Sequence, residues 1–240
     1  IASWSAEVSG PRLDSVPCTR IYQPHARATR VGGNLCMVLS PNQEIKLFAE
    51  GVQAFAFAHG RWRILDPETK FASWSRAVAN GRLARVLFEA ALNMAEARTG
   101  GLFVVLDDPE SAIGRLVARH DLIGDEPRDG PPAELTPRDP LARRALHYLA
   151  RNRSATEIDA SVLESLASLD GALVTNRSGR LIAFGAILRQ DDAADLPGLT
   201  FAEGARTTAA LAASLYGPVL KVSEDGFVSC FLAGQRVWDL

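Results

Sequence analysis

Residues 102–106 read LFVVL. An apolar run this short marks a buried strand. It follows directly on SRAVANGRLARVLFEAALNMAEARTGG, where Leu83, Val86, Leu87, Ala90, Leu92 and Met94 recur at helical spacing. Gly100 and Gly101 are expected to cap that helix at its C-terminus. DDPESAIGRLVARH predicts a second helix, with Asp107 or Asp108 as its cap and Pro109 in its first turn. LARRALHYLARN and SVLESLASL continue helically, with Ser154 or Asp159 as a cap for the latter. GALVT and LIAFGAIL, joined at NRSG, predict a hairpin; VLKVS and FVSCFL, joined at EDG, predict another. Helices alternating with paired strands give an α/β fold, a mixed central sheet flanked by helices.

The N-terminal part has a different texture. Pro11, Pro17 and Pro24 among scattered polar residues predict an irregular arm over the first 30 or so residues. LCMVLS (35–40) predicts a strand, and VQAFAFA with RWRIL a hairpin turning at His59-Gly60. Residues 1–74 therefore form an N-terminal β-rich extension, and 75–240 the main domain. Residues 124–140, rich in proline and acidic side chains, predict a surface loop. A further polar loop is expected at 190–200.

Composition narrows the function classes. A net charge of −2 over 240 residues offers no basic nucleic-acid surface. Three scattered cysteines argue against a disulfide framework or a zinc cluster. No apolar run approaches the ~20 residues that span a bilayer, and no signal peptide is visible, so a cytoplasmic location is expected. The first residue is Ile, as in a chain whose numbering starts inside a longer or processed one. There is no G-x-S-x-G, no Walker-type lysine loop and no G-x-G-x-x-G after a strand.

Three polar clusters adjoin strand or helix starts. Asp170-Gly171-Ala172 puts a carboxylate directly before a strand, where it suits Mg²⁺, Mn²⁺ or a hydroxyl proton. Gly204-Ala205-Arg206-Thr207-Thr208 opens a helix with free backbone N–H groups, hydroxyls and an arginine, a seat for an anion. Ser223-Glu224-Asp225-Gly226 adds a carboxylate at a turn. Taken singly, each is also ordinary turn or cap chemistry.

In order and spacing, the three clusters resemble the diadenylate cyclase (DAC) domain, the N-terminal domain of the DNA integrity scanning protein and its relatives. AEARTGGLFVVLDD is similar to that family's helix and "TGALIV"; LDGALVTNRSGRLIAFGAIL to "HDGAVII…NRIVAAGCFL"; EGARTTAAL to "GTRHRAAL"; and LKVSEDGFVSCFLAGQ to its "VVSEE" segment. The likeness covers about residues 75–233. It implies an ATP- or cyclic di-AMP-binding site, Mg or Mn entering with the nucleotide, and a face-to-face homodimer. By position it places the catalytic and metal-side aspartate at Asp170, the phosphate contacts at Arg206 with Thr207 and Thr208, and a second metal-side carboxylate at Glu224. Gly171, Ala172, Gly204 and Ala205 complete the implied nucleotide contacts.

The departures are specific. Thr207 stands where the motif has a histidine, Thr208 where it has its second arginine, and Leu169 where a histidine precedes D-G-A. Losing an arginine removes a bidentate phosphate clamp, and a hydroxyl supplies no charge in its place. The expected function is therefore a nucleotide- or cyclic-dinucleotide-binding sensor, degenerate as an enzyme. Two alternatives stay open: an active diadenylate cyclase, and a structural or interaction domain that binds no nucleotide.

Overall fold

The computed structural model describes residues 16–58, 60–123, 150–190 and 204–240. The LFVVL run is the core of β5 (Gly101–Leu106), and every residue of it is buried. Alternate side chains of a strand point to opposite faces, and here each face has its own core. Phe103 and Val105 pack with one set of helices; Leu102, Val104 and Leu106 pack with another. Beside β5 run β6 (Ala172–Asn176), parallel, and β8 (Val219–Val222), antiparallel. β7 (Leu181–Ala186), β9 (Val228–Leu232) and β10 (Gln235–Asp239) extend the sheet to six strands, in the order β10-β9-β8-β5-β6-β7. The fold is α/β, as expected; β10 was not anticipated.

One helical layer contains α2 (Pro67–Val78), α3 (Gly81–Glu96) and α5 (Ala160–Ala167). The other contains α4 (Pro109–Ala112) and α6 (Ala205–Ala213). The helical pattern around Trp74 is two helices rather than one. Ala79 takes a left-handed φ of 57°, and the Asn80 side chain accepts from Leu83 N at 3.2 Å, starting α3 anew. Trp74, fully buried, donates its indole N–H to Ala84 O across the break.

The end of α3 corrects the expected caps. Arg98, not glycine, adopts the left-handed position (φ 55°), and Thr99 N closes on Met94 O at 2.9 Å. Gly100 and Gly101 are thereby free for other work. The second predicted helix is a single turn: Asp108 caps α4, but Gly114 (φ 89°) and an Ile113–Val117 bridge turn the chain away. Asp159 caps α5 through Ser161 N at 2.9 Å. The 124–140 loop, almost all of LARRALHYLARN and the 191–200 loop lie outside the described residues, as do positions 1–15 and His59.

The N-terminal region forms a second sheet, β1 (Leu35–Leu39), β2 (Ile45–Ala49), β3 (Val52–Ala58) and β4 (Arg61–Ile64), paired in chain order and antiparallel throughout. The expected arm is helical from Arg20 to Ala28: a 3-10 turn and then α1 (Gln23–Ala28). Pro24 sits in the first turn of α1, where its missing N–H costs nothing and its fixed φ suits the helix. β2 was missed as well. Phe48, Tyr22 and Ala26 form a small core between this sheet and α1.

Polar contacts dock this unit onto α3. The Tyr22 hydroxyl donates to Glu96 at 2.7 Å, and Lys46 reaches Glu96 at 2.7 Å and Glu44 at 3.1 Å. Arg98 bonds Glu44 at 2.5 Å and also donates to the Asp225 carbonyl. Burial pushes the Glu44 carboxyl up, but the charges and hydrogen bonds of Lys46 and Arg98 outweigh it, and the net pKa is lowered. Burial and the hydrogen bond to Glu96 push the Tyr22 phenol up.

Candidate functional site

The sheet register gathers the predicted clusters at one edge. Gly101 pairs with Val222, Phe103 with Leu173, and Ala172 with Ala186. The start of β5, the start of β6, the end of β7 and the end of β8 are therefore neighbours. Asp170-Gly171 leads into β6, and Ser223-Glu224 leaves β8. α6 begins over the same edge.

A cavity of about 290 Å³ opens there. Asp170 and Gly171 line one side, and Ala205 and Arg206 at the start of α6 line another. Leu102, Ile187 and Leu188 supply an apolar wall, and Gln190 a polar group. The volume lies at the small end of ordinary ligand pockets. Asp170 is exposed, so its carboxylate stays solvated at the mouth.

Gly171 is required by its surroundings. Its φ is +118°, and a Cβ there would lie 2.5 Å from the Gly185 carbonyl carbon in the neighbouring strand. Gly100 makes room of another kind: a Cβ at that position would run into the Arg206 guanidinium, with its Cζ at 3.0 Å. Gly100 is thus the floor on which Arg206 lies. The arginine meets Glu224 at 3.5 Å, with both side chains well exposed (39% and 73%). A pair that long and that wet binds weakly, so Arg206 is readily given up to a better anion.

Gly204 is the N-cap of α6 and no side chain caps the helix. Thr207 N and Thr208 N turn back to Gly204 O, and no acidic residue stands in the first turn. The uncapped N–H groups and the positive end of the helix dipole therefore sit beside Arg206 at the cavity.

The remaining predicted residues sit elsewhere. Ala172 is buried in β6. Glu224 touches Arg206 but is not part of the cavity lining. Thr208 is half-buried, and neither it nor Thr207 lines the cavity. Thr207 is only 6% exposed, and its hydroxyl accepts from Lys221 Nζ at 2.8 Å. Sequence reasoning missed Lys221. Its signal was the alternation of β8: Val219 packs toward α6, so Lys221, two residues on, shares that face. It also pairs directly with Leu102, which lines the cavity. Among the described residues, no group of three or more His, Cys, Asp or Glu side chains is placed to hold a metal ion. No helix among them is long and apolar enough to cross a membrane.

No model of a known protein family matches the chain, and no curated protein matches it. Among solved structures it is similar to a double mutant of DacA from Staphylococcus aureus, at 20% identity and a TM-score of 0.42, over 66% of this chain and 87% of that one. It is also similar to a hypothetical membrane spanning protein from Bacillus cereus, at 20% identity and a TM-score of 0.41, over 64% of this chain and 61% of that one. Neither likeness assigns the chain to a family or says what the cavity holds.

Proposed function

We propose that this chain is a regulatory domain of the diadenylate cyclase type, which binds ATP or a cyclic dinucleotide without cyclising it. One observation carries the reading. A single cavity is lined by a carboxylate on a glycine turn, Asp170-Gly171, and by an uncapped helix start bearing an arginine, Ala205-Arg206. The helix N-terminus and Arg206 suit a phosphate, and the wall of Leu102, Ile187 and Leu188 suits a base.

The same geometry argues against cyclisation. Phosphoryl transfer depends on positive charge held against the phosphates. Thr207 faces Lys221 and is buried, so its hydroxyl is spent inside the fold. Removing one charge-stabilising contact typically costs on the order of 100- to 1000-fold in rate, and this site lacks two of the motif's cationic groups. Seating a ground-state nucleotide demands less. Asp170 and Glu224 suit a divalent ion only as a partial set, completed by the nucleotide's own phosphates, as is common for Mg²⁺; such an ion would neutralise phosphate charge.

Thermal melting with ATP or cyclic di-AMP, with and without Mg²⁺, tests the reading. At about 100 times the Kd, linkage adds about 2.7 kcal/mol, which raises Tm by roughly 5–10 °C. Arg206→Ala should abolish the shift. No shift with either nucleotide at millimolar levels ends the proposal. Incubation with ATP and Mn²⁺ should give no cyclic di-AMP; accumulation of product would replace this reading with an active cyclase.

A further inference from the structure

An antiparallel sheet with one packed face normally turns polar side chains outward on the other. The four-stranded sheet breaks this rule. Its inner face carries Cys36, Val38 and Phe48 against α1, and Arg63 over the Phe227 ring at 4.4 Å. Its outer face is apolar in every strand. The register lays out two rows across it: Leu39, Ile45, Phe57 and Trp62, then Met37, Leu47, Phe55 and Ile64. No charged side chain stands in either row.

Among the described residues, none covers the outer face. Leu35, Met37 and Leu39 are 69%, 64% and 73% exposed on β1, Trp62 and Ile64 are 54% and 76% exposed on β4, and Phe55 is 37% exposed between them. These six residues present on the order of 700 Å² of surface, close to the ~800 Å² per partner of a standard interface. The largest apolar patch on a typical monomer is about 300–600 Å².

We infer that this face is the interface of a homodimer, in which the outer faces of two copies pack sheet against sheet. The area matches what a stable dimer needs from each side. The chemistry is self-complementary: an uncharged apolar surface covers an identical one and leaves no charge desolvated. A two-fold axis through the β2–β3 seam sets β1 of each copy over β4 of the other, flexible aliphatic side chains against the Phe57–Trp62 aromatic pair (centroids 5.2 Å apart). Sheets pack this way in sandwiches, with strands within about 30° of parallel. The cavity belongs to the α6 side of the central sheet, whereas the N-terminal unit docks on the α3 side. The dimer therefore leaves both cavities open, unlike a face-to-face pairing at the nucleotide site, and it does not depend on what the cavity binds.

Sedimentation velocity and light scattering of the 240-residue chain between 1 and 100 μM test it. The expected mass is twice the 25.8 kDa of one chain. Met37→Glu and Ile64→Glu, each at an exposed position, should give monomers with unchanged far-UV circular dichroism. A wild-type chain monomeric at 100 μM overturns the inference, including one that instead co-sediments with phosphatidylcholine vesicles. A dimer that survives in both folded variants overturns it too, because the contact then lies elsewhere.

Discussion

Two strands of this protein have nearly interchangeable sequences and opposite surroundings. β1 reads LCMVL and β5 reads GLFVVL. β5 is covered on both sides, with Leu102 at 2% exposure and Phe103 at 0%. Among the described residues, β1 is covered on one side only. An unbroken apolar strand is suited to burial on both faces. The chain supplies both covers for the central sheet, as α2, α3 and α5 on one side and α4 and α6 on the other. For the small sheet the described residues supply one, and a second copy is the proposed other.

Denaturant unfolding exposes the contrast most strongly. Phe103→Ala should cost about 3–5 kcal/mol, since a fully buried aromatic leaves a cavity in a closed layer. Met37→Ser, measured on a chain kept monomeric by Ile64→Glu, should change stability by less than about 0.5 kcal/mol. Equal costs would break the comparison.

Gly171→Ala comes next, at about 1–3 kcal/mol, because an alanine there is strained at φ +118° and drives into the β7 backbone. It should also erase the nucleotide-induced melting shift; a stable variant that still binds would detach the cavity from that turn.

The junction between the two regions responds to pH. The Glu44 pKa is held below its ordinary 4.5, so its contribution is present above that value and lost as the pH falls below it. Glu44→Gln should cost about 1–2 kcal/mol at pH 7, and the gap from wild type should narrow toward pH 4. A constant gap would show that the Lys46 and Arg98 pairs do not couple the regions.

The mildest test uses thiols. Burial pushes Cys230, in β9, up to about 12, and burial with the nearby Glu89 charge pushes Cys18 up to about 11. Cys230 is 0% exposed, so at pH 8 it should react with a thiol reagent only as fast as the whole protein unfolds. Cys36, half-buried in β1, should label sooner.

Much of this architecture was legible because its signals are local. Capping carboxylates at Asp108 and Asp159 announced their helices, and hairpin turns such as NRSG and EDG announced their strand pairs. The meeting of Asp170-Gly171 with Arg206 followed from sheet register, which a sequence fixes only through a family pattern. Other features answer to distant contacts. β2 carries Lys46 and follows directly on Glu44, whose charges are satisfied by Glu96 and Arg98 some fifty residues away. α4 stops because Gly114 turns the chain, not because helical residues run out. Thr207 was expected among the phosphate contacts, but β8 brings Lys221 beneath it and its hydroxyl accepts from that lysine.

That last contact also bears on what position 207 can hold. The motif that the sequence resembles has a histidine at this place. Placing one here would force an imidazole into a site 6% exposed and already occupied by a lysine ammonium. Overpacking of that sort costs about 1–3 kcal/mol, and a protonated ring would face a like charge. A histidine would require Lys221 to change as well, and changing Lys221 alone would remove the donor that the Thr207 hydroxyl accepts from. Positions 207 and 221 are therefore coupled: the start of α6 and the middle of β8 accept a change at one only with a change at the other.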